Sequence, residues 1–402
     1  MSTQEPTPAT RAVPDGAAAG AVTRIREAIL GASARLTGLA VLAALAIGAV
    51  VLALSAEETR EALGEEGLGA AVGAGLGAVG RAYAALVQGS VGSVAAVSET
   101  LVAATVLILT GLAVAVPLRA GLFNIGGEGQ VVAGGLVGGA VGFAVAGLPF
   151  ALHLPLAIAA AALGGAAAGW LPGFLKARTG AHEVISTIML NNTLTFVLIW
   201  ILTLPMVQVE GRNDPISQQV LDTARLPRLI EGQRVDAGII LALAVAVWVF
   251  WLLERSTTGF ELSAVGANPE AATAAGMDPS RGTVTAMTVA GALAGLAGGA
   301  LIVGLQGRIT PGFSAGLGFD GITVALLGRG TVVGTVLSGL LLGALKAGGR
   351  AMQARSGTAL DLVVVIQALI IVFIAAPGVV RAMFRVRADV GEGARISQGW
   401  GS

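Results

Sequence analysis

The sequence predicts an all-α polytopic membrane protein. Of its 402 residues, 55% are hydrophobic and only 12% are charged, whereas soluble domains carry about 25% charged residues. The mean hydropathy is +0.83. Glycine contributes 60 residues, and small residues let transmembrane helices approach one another closely. These observations indicate a tightly packed bundle of membrane-spanning helices and exclude an ordinary soluble globule.

The same composition excludes several classes of function. The formal net charge is +0, so the basic patches that mark nucleic-acid binding are not indicated. The chain has no cysteine, which excludes disulfides, thiolate metal sites and cysteine nucleophiles. Its only histidines are His153 and His182, and no HExxH motif occurs, so neither a metal site nor a cofactor is predicted.

Candidate membrane spans follow from the apolar runs, since a helix needs about 20 apolar residues to cross a bilayer. Eight to ten crossings are predicted, and ten if one short run counts. The runs are Leu36–Leu54, Val97–Pro117, Val131–Phe150, Leu154–Leu175, Val184–Leu204, Ala237–Leu253, Val284–Leu305, Leu317–Leu327 (the short one), Thr331–Leu345 and Ala359–Ala376. Glycine-rich polar loops between several of them predict broken or half helices.

Four regions follow one another along the chain. They are a polar cytoplasmic leader at 1–35 that is expected to be disordered, a first transmembrane helix with an external segment at 36–96, the main transmembrane domain at 97–380, and a cytoplasmic tail at 381–402. Residues 68–96 are rich in glycine and alanine and are interpreted as an external amphipathic segment rather than as a span. The leader is too long for a cleaved signal peptide.

Arginine placement predicts the orientation, because cytoplasmic loops carry an excess of Lys and Arg. The leader holds four arginines, so the N-terminus is expected in the cytoplasm. Counting alternately, the long loop 254–281 and the tail also fall inside. Three cations, Lys346, Arg350 and Arg355, fall outside in this ten-span topology. An eight-span alternative with a re-entrant loop at 307–328 would misplace the tail instead.

The loop RAGLFNIGGEGQ at 119–130 carries polar groups between two membrane-length runs. Irregular backbone survives at membrane depth only beside protein or a water-filled path, and ionisable groups there usually mark a transport route or a packed polar contact. Asn124, Glu128 and Gln130 are therefore candidate residues of a substrate pathway. The adjacent glycines predict the end of one half-helix and the start of another.

Further candidates lie inside or beside later spans. Asn191 and Asn192 point about 100° apart on their helix, so one is expected to line the pathway while the other bonds a neighbouring helix. Asp320, in the first turn of the short span, predicts a second break there, which is compatible with an inverted repeat. The aromatic residues near these positions are suited to stacking on a nucleobase, although anchoring and packing are their commoner uses. They are Trp170, Phe174, Phe196 and Trp200.

The loop 254–281 contains a second motif. Asn268-Pro269 predicts a helix start and Gly276 a helix stop, which leaves a surface helix of two turns. The default interpretation is a solvated loop helix. The sharper one is a coupling helix that docks on a cytoplasmic ATPase, with four residues in the motif: Glu270, Ala271, Ala272 and Gly276.

These motifs together resemble those of one family. The EAA…G spacing is similar to the coupling motif of ABC importer permeases. The loop at 119–130, HEVISTIMLNN at 182–192 and ALLGRGTVVGTVLSGLLLGAL at 325–345 resemble its nucleoside and simple-sugar branch, the guanosine-uptake and ribose-type permeases, which are similar to branched-chain amino acid permeases. The resemblance covers about residues 97 to 380.

The resemblance implies an all-helical permease without enzymatic activity of its own. Its implied partners are ABC ATPase subunits, a second permease that is expected to be a paralogue rather than an identical copy, and an extracytoplasmic substrate-binding lipoprotein. The expected substrates are nucleosides or related simple sugars. The expected location is the cytoplasmic membrane.

The absence of a phosphate-binding motif agrees with this. GxxxxGK[ST] would supply the lysine that reaches ATP phosphates, but the two lysines, Lys176 and Lys346, do not follow glycine. An ion-coupled secondary transporter is the alternative. It would require buried carboxylates at mid-span, which the span interiors lack. An intramembrane enzyme is a third class, for which no catalytic constellation is visible.

Overall fold

The computed structural model describes residues 32–384. Regular structure in this range is helical, and the only β-type pairs within it are two isolated bridges, Gln208 with Ser217 and Arg228 with Asp236. Almost all of the leader and most of the tail lie outside the described residues. The fold class predicted from the sequence is confirmed.

Fifteen α-helices follow one another in the described chain. The first seven are α1 (Ala32–Ser55), α2 (Glu57–Glu65), α3 (Leu68–Val91), α4 (Val94–Arg119), α5 (Gly127–Ala144), α6 (Phe150–Thr179) and α7 (Glu183–Leu202). The next eight are α8 (Gly238–Arg255), α9 (Thr257–Ala267), α10 (Pro269–Ala274), α11 (Pro279–Gly299), α12 (Leu317–Leu327), α13 (Val332–Ser356), α14 (Leu360–Ala375) and α15 (Pro377–Phe384). A π-helical segment, Ala300–Gln306, continues α11.

Eight helices of the described range are long and apolar enough to cross a membrane, and the bent pair of α14 and α15 would make nine. The eight are α1, α3, α4, α6, α7, α8, α11 with its π-helical extension, and α13. α12 is a shorter apolar helix with the bounds that the sequence predicts. The predicted span Val131–Phe150 is not among the eight, because α5 runs from Gly127 to Ala144 and Phe150 begins α6.

The bundle has two ends, the coupling end beside residues 254–281 and the far end opposite it, and polar contacts mark both. At the coupling end, Arg119 at the end of α4 pairs with Glu254 at the end of α8, 2.7 Å apart. At the far end, Glu99 pairs with both Arg234 and Arg350 at 3.1 Å. α4 therefore starts at the far end and α13 finishes there.

Each of the three cations that the ten-span topology places on the outer side of the membrane has a polar partner. Lys346 lies 2.8 Å from the carboxylate of Asp320, Arg350 binds Glu99, and Arg355 donates to Gln88 at 3.1 Å. The charges of Lys346 and Arg350 are therefore balanced by carboxylates, whereas Arg355 is held by a neutral amide.

Residues 307–330 pass from one end of the bundle to the other. The carbonyl of Gly307 accepts the N–H of Val220 at 2.9 Å, and Val220 belongs to the far-end segment, residues 203–237 between α7 and α8. Gly330, after α12, lies against Leu118 near the coupling end. An irregular stretch of turns and the half-helix α12 thus complete one passage between the two ends.

α3 differs from its sequence interpretation as a segment that does not span, because by length and composition it is a candidate span. Two of its polar contacts nevertheless lie near the far end. Arg81 pairs with Glu58 just beyond the end of α1, and Gln88 receives Arg355 at the end of α13. The composition of α3 explains why it is hard to assign from the sequence. Its many alanine and glycine residues weaken the apolar signal of the helix without shortening it.

Glycine explains how closely the long helices pack. α6 and α11 run antiparallel, and a Cβ on Gly165 or Gly169 would collide with the backbone of Gly291 or Met287. α4 and α13 do the same, since a Cβ on Gly339 would lie 2.7 Å from Ile108. Small residues allow this backbone approach, which provides van der Waals contact where lipid offers no hydrophobic drive.

Two groups of three helices have opposite directions. α4, α5 and α6 form the first group, and α11, α12 and α13 form the second. α4 runs toward the coupling end, whereas α11 begins there, just after the loop 254–281. Each group has a long helix, an irregular loop, a shorter helix and a second long helix. This order is compatible with the inverted repeat that the sequence suggests.

Candidate functional site

The loop between α4 and α5 lies inside the bundle. Pro117 stands in the last turn of α4, where its carbonyl accepts the N–H of Leu122 at 3.0 Å. Gly121 has φ +70, a left-handed conformation that glycine adopts without a steric penalty. The chain therefore reverses tightly and carries its polar residues into the core.

Asn124 and Gln130 bind each other inside this loop, and both are fully buried. The Asn124 amide donates to Gln130 Oε1 at 2.9 Å, and the Gln130 amide donates to Asn124 Oδ1 at 3.2 Å. Asn124 Oδ1 also accepts the N–H of Gly126 at 2.9 Å. The two side chains satisfy buried polar groups, which would otherwise cost several kcal/mol in lipid.

Asn191 reaches this loop from α7. Its Nδ2 donates to the carbonyl of Ile125 at 3.0 Å, and its Oδ1 accepts the N–H of Gly129 at 2.8 Å. Gly129 N–H belongs to the first turn of α5, which has no intrahelical acceptor. Asn191 thus fixes the loop and caps a helix, and it is 6% exposed.

Asn192 points elsewhere and is exposed, as is Thr193. The expectation that the two asparagines serve different surfaces agrees with this, and Asn191 is the one that bonds its neighbours. Phe196, four residues after Asn192, is 71% exposed, and residues spaced by four share a helix face. α7 therefore presents a polar and aromatic strip on its outer side.

Glu128 lies where the two groups of helices meet. Its carboxylate accepts the hydroxyl of Ser314, the N–H of Gly316 at 3.2 Å and the N–H of Gly318 at 2.9 Å. These donors belong to the start of α12, whose N-terminal N–H groups lack helical partners. A carboxylate there is favourable because the helix dipole is positive at that end. None of these donors, Ser314 included, is predicted from the sequence as a partner of Glu128.

Asp320 has a different neighbour from the other candidates. Its carboxylate pairs with Lys346 of α13 rather than with the loop residues, and both side chains are about one-third exposed. The predicted break before α12 exists. Gln306 ends the π-helical segment and donates to the carbonyl of Phe313 at 3.0 Å, and Gly307 follows with φ +70.

The coupling segment, residues 254–281, contains α9 and α10. Asn268 caps α10, because its Oδ1 accepts the N–H groups of Glu270 and Ala271, both at 3.0 Å. Gly276 follows with φ +85. The predicted start, stop and two-turn length of this helix agree with the structure. Glu270, Ala271 and Gly276 are exposed, while Ala272 is 3% exposed.

The two histidines have ordinary structural surroundings. His153 lies within hydrogen-bonding distance of Thr223 Oγ1 at 2.8 Å and of the carbonyl of Val141 at 3.0 Å. His182 precedes Glu183, whose carboxylate binds Lys176 at 2.6 Å. Within residues 32–384, no group of three His, Cys, Asp or Glu side chains could hold a metal ion.

A family model described as "Branched-chain amino acid transport system / permease component" matches residues 96–375. The chain belongs to this permease family. The match begins at the start of α4 and ends with α14, so it includes the loop, the coupling segment and both groups of helices. The protein is thus a multi-pass membrane permease. No solved structure matches the chain.

Individual relatives are similar over most of this permease. A guanosine ABC transporter permease protein, NupP of Bacillus subtilis, is 40% identical over 75% of this chain and 87% of its own length. A glucose ABC transporter permease protein, TsgB13 of Haloferax volcanii, is 38% identical over 69% and 75%. A nucleoside ABC transporter permease protein, NupB of Lactococcus lactis, is 34% identical over 75% and 85%.

Proposed function

We propose that this permease is the membrane subunit of an ABC importer that moves nucleosides, or related simple sugars, across the cytoplasmic membrane. The observation that carries the proposal is the capped, exposed helix α10 at the coupling end of a chain that belongs to this family. The substrate class rests on the relatives, two of which are nucleoside or guanosine permeases by name and one a glucose permease.

ATP hydrolysis belongs to partner ATPase subunits in this proposal. The chain has no phosphate-binding loop, whereas α10 offers a rigid knob for docking. Its cap at Asn268 fixes one end, and the left-handed Gly276 redirects the chain at the other. Glu270 and Ala271 face outward for contact, and Ala272 anchors the helix against the bundle.

The substrate pathway follows the exposed strip of α7. Polar side chains facing lipid are costly, so Asn192 and Thr193 fit a water-filled route better than a lipid contact. Phe196 adds a face on which a nucleobase can stack. Asn124, Gln130 and Asn191 support this wall from behind through their mutual hydrogen bonds, and Glu128 and Asp320 support it at α12.

The remaining partners are those expected of the family. The coupling end faces the cytoplasm, together with the N-terminus, and the far end receives substrate from an extracytoplasmic lipoprotein. A second permease, a paralogue rather than an identical copy, completes the pathway opposite α7. α3 remains on the outer face in this arrangement, since its polar contacts with Glu58 and Arg355 lie there.

An ion-coupled secondary transporter is not favoured. Such a transporter needs carboxylates available to a proton or a cation near the middle of the membrane. Glu128 is engaged by the start of α12 and Asp320 by Lys346. Each carboxylate therefore has a structural partner that a coupling ion would have to displace.

Reconstitution tests the proposal directly. The permease, its ATPase, its second permease and its binding protein are placed in proteoliposomes, with ATP on the ATPase side, and uptake of labelled guanosine, ribose and glucose is measured. We expect ATP-dependent uptake with guanosine preferred. Uptake driven by a proton or sodium gradient without ATP would overturn the importer assignment. ATP-driven uptake of a sugar alone would overturn the preference for nucleosides.

A further inference from the structure

We propose that residues 119–130 form a link that carries movement of the coupling segment to the start of α12 in the middle of the bundle. Arg119, Gly266 and Glu128 are its positioning residues. The inference rests on the proposed function, because it presupposes an ATPase that moves α10. It assigns to this loop a role in coupling, in addition to its place beside the pathway.

The first joint connects the loop to the coupling segment at the level of the backbone. A Cβ on Gly266 of α9 would collide with the carbonyl of Arg119, and a Cβ on Gly121 would lie 3.3 Å from Gly266 Cα. No side chain separates the two backbones at this point. The ion pair of Arg119 with Glu254 lies beside them.

An apolar cluster reinforces this joint. Leu262 of α9 and Leu122 of the loop are both buried, and the cluster unites α9, the loop and α11. Its members are Ala120, Leu122, Leu262, Ala286 and Met287. Close-packed side chains transmit displacement because they cannot compress. A shift of α9 therefore displaces the loop.

The loop itself is held as one body. Three buried amide side chains tie it to the first turn of α5: Asn124, Gln130 and Asn191. Asn124 and Gln130 lie six positions apart, so the pair closes the part of the loop that leads into α5. Such a fully satisfied buried network is rigid, and the loop cannot absorb a displacement by bending.

The last joint connects α5 to α12. Besides its three bonds to Glu128, the start of α12 packs directly on α5, since a Cβ on Gly318 would collide with the N–H of Glu128. The residues before α12 include left-handed positions at Gly312, Ala315 and Gly316. This irregular segment lets α12 follow α5, so the Glu128 carboxylate is the tie that sets the position of α12.

The test measures coupling rather than activity alone, in the assembled complex of both permeases, the ATPase and the binding protein. Glu128→Gln keeps the size of the side chain but removes its charge, and Gly266→Ala separates the two backbones. We expect each variant to retain bound ATPase and basal hydrolysis. The substrate moved per ATP should fall roughly fivefold or more, as expected when a coupling free energy is lost.

Two control substitutions distinguish loss of the link from general damage to the fold. Gly282→Ala lies directly after the coupling segment, in the first turns of α11, but its Cβ would meet its nearest neighbour at 3.7 Å. Glu65→Gln removes an exposed carboxylate outside the family match. Both controls should keep the wild-type ratio. Arg119→Lys, a milder change, should lower the ratio if the larger changes impair folding.

A second readout distinguishes linkage from structural support. If the link also carries movement from the far end back to the coupling segment, substrate-loaded binding protein should stimulate ATP hydrolysis in the wild type and fail to do so in the variants. Gly266→Ala and Glu128→Gln should also be non-additive, since they interrupt one path. Hydrolysis and uptake that fall in parallel, with an unchanged ratio, would overturn the link. No ATP-driven uptake by the wild type would instead overturn the proposed function.

Discussion

Glu128 on α5 accepts the backbone N–H of Gly318 on α12 at 2.9 Å, across 190 positions of the chain. The bond joins the starts of two helices that run in opposite directions. A single carboxylate thus satisfies the N-terminus of a half-helix at a depth where water is scarce. The two groups of helices are held together at this point by hydrogen bonds as well as by packing.

This relationship predicts different outcomes for two substitutions. Glu128→Ala leaves the N–H groups of Gly316 and Gly318 without acceptors, at roughly 1–3 kcal/mol each. Glu128→Gln retains an acceptor oxygen and should be milder. We expect a lower thermal unfolding midpoint in detergent for Ala than for Gln. Equal losses in the two variants would show that the charge, not the hydrogen bonds, matters.

Substitutions of the two neighbouring asparagines of α7 should have different effects. Asn191→Leu removes both bonds to the loop and leaves a buried carbonyl and a buried N–H unpaired, so the amount of folded protein should fall. Asn192→Leu touches no such partner and should keep wild-type stability. It should lower the uptake rate more than the apparent substrate affinity. Full transport by Asn192→Leu would remove this face from the pathway.

The exposed coupling helix predicts an uncoupled phenotype. Gly276 has φ +85, so Gly276→Leu forces a branched side chain into the left-handed region, at a cost of about 1–3 kcal/mol. Glu270→Lys reverses an exposed charge. Both variants should reach the membrane, but capture of the ATPase and uptake should fall. Glu231→Lys, a charge reversal in the far-end segment, should leave ATPase capture unchanged. Normal capture and normal uptake in both coupling variants would contradict the docking assignment.

The absence of a phosphate loop makes a simpler prediction. The purified chain without partners should neither bind nor hydrolyse ATP, because neither of its lysines follows the glycines that cradle phosphates. Nucleotide binding by calorimetry and phosphate release by a coupled assay check this. Turnover that persists after removal of co-purifying ATPase would refute it.

The sequence predicts those features that depend on neighbouring residues. The apolar runs predict most spans because length and hydropathy are local, and Asn268-Pro269 with Gly276 predicts α10 because caps and stops are local. α5 is predicted with shifted bounds because its glycines and Glu128 weaken the apolar signal at its start. The position of α3 is not predicted in this way, because composition alone cannot say on which side of a bundle a helix lies.

The sequence does not show which distant residues are in contact. Helical periodicity places Asn191 and Asn192 on different faces but cannot say which face meets the loop. The partners of Glu128 at Ser314 and of Asp320 at Lys346 depend on the packing of α5, α12 and α13. That packing is set by backbone approach at glycines, which a hydropathy pattern does not reveal.

The ion pair of Asp320 and Lys346 gives the last prediction. Each side chain is about one-third exposed, so breaking the pair should cost roughly 1–3 kcal/mol, between the values for exposed and buried pairs. Asp320→Asn leaves an ammonium group unpaired beside α12, and Lys346→Gln leaves a carboxylate. Each single variant should lower the unfolding midpoint and the uptake rate.

The double variant Asp320→Asn/Lys346→Gln should recover much of both losses, because two neutral amides can bond each other and leave no unpaired charge. Thermal unfolding of the three variants in detergent gives the coupling energy of the pair, and uptake in proteoliposomes shows whether it matters for transport. Additive losses would mean that the two residues act independently. Recovery of stability without recovery of uptake would instead place the charges themselves in the pathway, since neutral amides then restore the fold but not the passage of substrate.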